Sequence, residues 1–282
     1  MAVSGGPVRE AAWAGQFYPS DPQRLRSDVI EYLGEAGDGP PRGTVIGLLA
    51  PHAGYIYSGA VAGNAYAAVR GREYDRVVLL APSHRAYFRG ASVWPRGAYR
   101  TPLGEVPIDE EGAARLLEKG GGLVSDLPEA HTEEHALEVQ IPFLQVALPS
   151  FRLVPLVLGS HDFDFAASLA RLLAETFGSE GTLYVASSDL SHFHSYDEAV
   201  RIDGLLLDLL GRMETKRLAA ALERGETEAC GAGPILTIAT ASKEHFGASA
   251  RLLDYANSGD TAGGKEEVVG YAAFLFAREG AA

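Results

Sequence analysis

The chain has 282 residues, 46% of them hydrophobic and 22% charged, with a formal net charge of −13. Those fractions exclude a disordered or collagen-like polymer and supply enough apolar material for a sizeable core. The acidic balance argues against a general nucleic-acid binder, whose phosphate contacts need basic patches. The lone cysteine, Cys230, excludes an internal disulfide. The opening MAVSGGPVREAAWAGQFYPSD lacks the apolar core of a signal peptide. No run of about 18 apolar residues suggests a membrane span. The expectation is a soluble, cytoplasmic protein without a membrane partner.

Val45–Ala50 reads as a buried strand, Val61–Val69 as a helix and Arg76–Ala81 as a second buried strand. Ala91–Val106, with Pro and Gly at short intervals, reads as a hairpin excursion. Helical patterns cover Glu110–Lys119 and Glu133–Leu148, followed by a strand at Arg152–Leu158. Next come a helix at Phe163–Phe177, a strand at Thr182–Ala186 and a helix at Tyr196–Leu210. Thr215–Arg224 reads as a helix with Thr215 as its N-cap. Strand-like Ala250–Tyr255 and Val268–Phe276 complete the pattern. Apolar runs without polar alternation suit strands covered on both faces. The expected fold class is α/β: one layered domain over residues 1–282, a largely parallel or mixed central sheet, helices on its faces.

Three of these strands run into loops that carry chemistry. Pro51-His52-Ala53-Gly54-Tyr55 follows the first, Pro82-Ser83-His84 the second, and Ser187-Ser188-Asp189-Leu190-Ser191-His192 the Thr182–Ala186 strand. A single histidine at a strand end is more often a surface or hydrogen-bonding group than a ligand. Ligands of open α/β sheets, however, sit outside the carboxyl ends of the strands. If the three strands are parallel neighbours, His52, His84, Asp189 and His192 converge on one crevice.

His131-Thr132-Glu133-Glu134-His135 matches the H-x-x-E-H pattern of inverted zinc peptidases. On one helix the two histidines would share a face, with Glu134 as base; the blander reading is a polar helix start. Cys230 precedes an apolar helical stretch, and is either a small buried hydrophobe or a thiolate tuned by the helix end. Trp13, Phe17, Tyr18, Tyr55 and Tyr57 could wall a pocket or simply pack. No P-loop and no G-x-S-x-G elbow occurs, which argues against nucleotide hydrolysis and serine hydrolase chemistry.

Taken together, VREAAWAGQFYPSD, APHAGYIYSG, PSH at 82–84, YRTPLGEVPID, EHALEVQIPFLQ, SSDLSHFHSYDE and CGAGPI resemble the Memo family. In prokaryotes it is also called AmmeMemoRadiSam system protein B. The resemblance implies a fold similar to the class III, LigB-type extradiol dioxygenases, in which two histidines and a carboxylate hold iron(II). It implies a non-haem metal site on His52, His84 and Cys230, holding iron(II), with copper or zinc as alternatives. Asp189 and His192 would line the same pocket as its catalytic groups, His192 as acid/base, with Asp189 the alternative to Cys230 as the third metal ligand. Phe17, Tyr57 and His135 would border it, His135 lining the pocket or supporting the ligands from behind. The resemblance further implies a small-molecule or peptide ligand, and a pathway link to radical SAM and AMMECR-type proteins. Replacement of the carboxylate ligand by Cys230 sets the chain apart from ring-cleaving dioxygenases. The expected function is a metal-dependent redox protein or a non-catalytic binding or metal-handling module on the same scaffold.

Overall fold

A computed structural model describes residues 6–34 and 43–278; the first five residues of the opening segment lie outside them. The N-terminal part contributes β1 (Val8–Arg9) and α1 (Pro22–Leu33). Asp21 caps α1 by accepting from Arg24 N at 2.8 Å, and Pro22 sits where a missing N–H costs nothing. The first half continues with β2 (Thr44–Ala50), α2 (Tyr55–Ala67), β3 (Arg76–Pro82), β4 (Ala91–Val93), β5 (Ala98–Thr101), β6 (Gly104–Pro107), α3 (Glu110–Gly120) and β7 (Val124–Ser125). Three short helices follow: α4 (Glu129–Thr132), α5 (His135–Glu138) and α6 (Ile141–Ala147). The second half runs β8 (Arg152–Leu158), α7 (Phe163–Phe177), β9 (Thr182–Ser187), β10 (His192–His194), α8 (Tyr196–Gly211), α9 (Thr215–Glu223), α10 (Ala232–Thr240), β11 (Ser249–Asn257), α11 (Ser258–Thr261) and β12 (Val268–Arg278).

Nine strands form one mixed sheet in the order β10-β12-β2-β9-β3-β8-β4-β7, with β11 pairing to β12. Its centre, β2-β9-β3-β8, is parallel; β12 and β4 join it antiparallel. The expected α/β fold is therefore found, with strands from both ends of the chain in one sheet. The period-2 geometry of a strand explains the unbroken apolar runs. In β3, Val78 and Leu80 enter the core under α3, α7 and α10, while Val77, Leu79 and Ala81 enter the core under α1, α2 and α6. Tyr184 and Ala186 of β9 face the first core, Leu183 and Val185 the second. In β2 the alternation slips, because the pairing with β12 skips Ile46 at a bulge. Burying each Leu or Val stabilises the fold by about 1.5–3 kcal/mol, so covering both faces is what rigidly fixes the strand ends.

Three sequence expectations change. The Ala91–Val106 excursion splits: β4 joins the main sheet, and the β5–β6 hairpin forms a small sheet with β1. The expected Glu133–Leu148 helix is broken into α5 and α6. Pro142 has no N–H for the Glu138 carbonyl, and Glu134 caps α5 from outside by accepting from Ala136 N. Glu214, and not Thr215, occupies the N-cap position of α9. No helix among the described residues is long and apolar enough to cross a membrane.

Candidate metal centre

The parallel order β2-β9-β3 places the carboxyl ends of three neighbouring strands side by side. His52 leaves β2, His84 leaves β3, and Ser187 to His192 leave β9. A fourth element completes the group: the start of α5 brings His135 to the same place. The rings of His52, His84 and His135 lie 5.2, 5.4 and 4.7 Å apart, centre to centre. One nitrogen from each lies within 4.8 Å of the other two. His52 is buried, His135 half-buried and His84 open to solvent.

Hydrogen bonds set the ring orientations. Ser187 Oγ donates to Ala136 O at 2.7 Å, so it can only accept from His52 Nδ1 at 2.9 Å. His52 therefore carries its proton on Nδ1 and presents a lone pair at Nε2. Glu134, wholly buried, accepts from His84 Nδ1 at 2.9 Å, His84 N at 2.6 Å and Ala136 N at 2.9 Å. His84 too is left with a free Nε2. Burial opposes the Glu134 charge, but these donors prevail and hold its carboxyl down to about 2. A carboxylate behind a histidine is the usual support for a metal-ligating ring. His135 Nδ1 is buried without a hydrogen bond; Glu134 Oε1 is 3.3 Å away but poorly aligned. Burial and the neighbouring His52 ring lower the His135 pKa to about 3, and burial and His84 push His52 well below its usual value. Three clustered imidazoles, two aimed by fixed acceptors and one with an orphaned nitrogen, fit a transition-metal ion.

Cys230, just before α10, reaches the same place. Its Sγ is 3.1 Å from His52 Nε2 and 3.3 Å from Asp189 N. Burial and the Asp189 charge push the thiol up, so it is neutral here. Asp189 turns Oδ1 back onto the loop, accepting from His52 N at 2.7 Å and Ala53 N at 3.3 Å. It ties β9 to the His52 turn. Burial raises its carboxyl, against those amide donors. Gln140 adds another tie, donating Nε2 to Pro51 O at 2.9 Å and Ser187 Oγ at 2.7 Å.

His192 donates Nδ1–H to Leu190 O at 2.8 Å, which leaves its Nε2 free. With Cys230 it lines a cleft of about 760 Å³ that also includes His161, Phe163, Leu222 and Glu228. This cleft lies on the Cys230 side of the histidines. Phe17 stands beside His135, ring centres 4.6 Å apart, and Trp13 at 5.8 Å. Tyr57 is partly exposed on the first turn of α2, over the Gly54 turn.

His131 is not part of the group. The chain turns at Glu133 between α4 and α5, so His131 and His135 share no helical face. Tyr99 Oη holds His131 Nδ1 at 2.7 Å, and Ser92 holds Nε2 at 3.1 Å. The inverted zinc-peptidase reading thus fails on geometry. Sequence reasoning underrated Glu134 as the support of His84, and His135 as a possible ligand. The adjacent Glu-His pair in EHALEVQ was the available signal.

A family profile described as Memo-like protein matches residues 9–275. A MEMO1 family protein of Methanopyrus kandleri is 37% identical over 284 residues, covering 96% of this chain and 99% of the relative. One from Aeropyrum pernix is 40% identical over 279 residues, 94% and 98% of the two chains. The crystal structure of an uncharacterized Escherichia coli K12 protein is similar in fold, with TM-score 0.51 at 19% identity, over 71% of this chain and 86% of that one. By the profile and by 37–40% identity over nearly the full length of both chains, this protein belongs to the Memo family.

Proposed function

We propose that the protein holds one redox-active metal ion, iron(II), on His52, His84 and His135 with Cys230 as an adjoining thiolate donor. The convergence of three imidazoles beside the only thiol carries this reading. Imidazole and thiolate together suit iron, copper or zinc in preference to magnesium or calcium. Ligand nitrogens up to 4.8 Å apart must draw in by about 1 Å to meet an ion at the usual 2.0–2.1 Å. The exposed His84 is the movable part. Binding would displace the Cys230 proton, so affinity rises with pH.

When bound, such an ion supplies Lewis acidity and one-electron chemistry. The chain supplies the rest. Glu134 orients His84, Ser187 orients His52, and Asp189 anchors the loop between them. Phe17 shields the His135 side from water. His192, at the boundary with the cleft, has a free Nε2 to take or return a proton. The cleft is where a small molecule or peptide end would lie. Asp189 spends Oδ1 on backbone amides, which favours Cys230 over Asp189 as the anionic donor.

Anaerobic titration with iron(II), followed by metal analysis after gel filtration, tests the proposal. One iron per chain in the native protein, lost in His52→Ala and weakened in Cys230→Ser, is expected. Native protein that retains no iron, copper or zinc would overturn it. Oxygen uptake with candidate substrates then separates turnover from simple binding.

A further inference from the structure

We propose that Arg9 and Glu138 are positioning residues for the metal centre: they hold the turn that delivers His135 and the aromatic cover that lies on it. The inference rests on the reading of the histidine trio as a metal site. Glu138 is wholly buried, and its carboxylate accepts from four donors of the N-terminal segment. They are Arg9 Nη1, Ala12 N at 3.0 Å, Trp13 N at 2.9 Å and Tyr18 Oη at 2.5 Å. Arg9 is 2% exposed. Its Nε donates to His131 O at 3.0 Å and its Nη2 to Glu134 O at 2.8 Å. Those carbonyls bracket the turn between α4 and α5, immediately before His135. Glu138 lies three residues after His135 on the same short helix.

Arg9 at the start of α5 and the donors gathered on Glu138 at its end thus grip the helix at both ends, from a segment more than a hundred residues away in sequence. The same grip sets the cover. Trp13 N is held by Glu138, its Nε1 donates to Glu133 O at 2.9 Å, and its ring meets His135 edge-on. Phe17 packs against His135 from the same loop, the rings tilted by 40°, and Phe17 O accepts from Tyr55 N at 2.8 Å. The segment therefore also reaches the turn after His52. A helix of four residues has no intrinsic persistence, so α5 takes its orientation from such contacts. A buried ion pair is a poor source of net stability, because desolvation offsets the attraction. Here nearly every donor of Arg9 and both oxygens of Glu138 are spent on backbone or side chains that set the place of one histidine. That arrangement specifies geometry.

Cobalt(II) is the probe, because its visible spectrum reports coordination and its affinity can be read without any substrate. The full chain is compared as native protein, Glu138→Gln, Tyr18→Phe and Leu169→Ala, the last a core truncation on the buried face of α7. Glu138→Gln is expected to bind cobalt about tenfold more weakly or worse, with an altered visible band. Tyr18→Phe removes one donor and is expected to lose about threefold to fivefold. Leu169→Ala, though less stable than native protein, is expected to keep native affinity and spectrum. Native binding by Glu138→Gln overturns the proposal. If that variant does not fold, native binding by Tyr18→Phe overturns it instead. So does an equal affinity loss in Leu169→Ala, which would show that stability alone is being read. Failure of the native protein to bind cobalt removes the metal-site reading, and this inference with it.

Discussion

Replacing Glu134 by Gln isolates what the buried carboxylate does. In the native protein Oε1 accepts from His84 Nδ1 and Ala136 N, and Oε2 accepts from His84 N. All three partners are donors, so either orientation of the Gln amide opposes an N–H to an N–H. The favoured orientation keeps oxygen toward the ring and sets the NH₂ against the His84 amide, now 2.6 Å from Oε2. The cost follows from the titration of the group. A fall from 4.5 to about 2 means that the fold favours the charged form by about 3 kcal/mol, at 1.36 kcal/mol per pKa unit. Glu134 is wholly buried, so little of this is screened. Urea denaturation at pH 7 should show Glu134→Gln less stable by about 2–4 kcal/mol. For a chain of this size that is a fall in Tm on the order of 5–12 °C. Cobalt affinity should fall by about 10- to 100-fold, since His84 loses its orienting partner. In the native protein the same contribution is complete above pH 4.5 and is lost as pH falls toward about 2. A variant within 0.5 kcal/mol of native stability, with unchanged cobalt affinity, would refute the assignment of Glu134 as the support of His84.

His131 gives a separate pH dependence. Burial, partly offset by the Ser92 carbonyl, holds its pKa down to about 3, so the folded protein keeps it neutral where the unfolded chain is protonated. Its contribution is complete above pH 6.5 and falls by about 1.4 kcal/mol per pH unit down to about pH 3. His131→Gln should flatten the stability–pH slope between pH 6 and 4 by one proton, and an unchanged slope would contradict this. Gly231→Ala tests the seat of Cys230: an added Cβ would stand 2.4 Å from Ser187 O and 2.5 Å from Ser188 Cβ. The expected loss is about 1–3 kcal/mol, with faster thiol labelling of Cys230 as its loop is pushed outward; native labelling rates would show that the loop has room to spare.

The fold was legible because its strands are covered on both faces, and runs such as Val77–Ala81 have no other economical reading. Parallel order was the inference that mattered most, since it alone places His52, His84 and the Asp189 loop together. What could not be read was the break before α6. Glu133–Leu148 looks continuous, and only the capping by Glu134, the missing N–H of Pro142 and the turn at Val139–Gln140 show why it divides. The earlier turn at Glu133, between α4 and α5, sends His131 to Tyr99 and Ser92, and His135 to the other two histidines. The grip of Arg9 on the same turn is equally invisible in sequence, because it spans 125 residues to Glu134. Cys230 was recognised as a partner of the histidines through the family resemblance. Its place 3.1 Å from His52 Nε2 is a property of the α10 entry loop packing on β9.

In the proposed site His52, His84 and His135 hold one metal ion with Cys230 beside it. X-ray absorption at the metal edge on anaerobically loaded full-length protein tests it most directly. Three imidazole nitrogens and one sulfur are expected around the ion, with the sulfur signal absent in Cys230→Ser and an imidazole lost in His135→Ala. A shell of oxygen donors alone, or one unchanged by both substitutions, would contradict it.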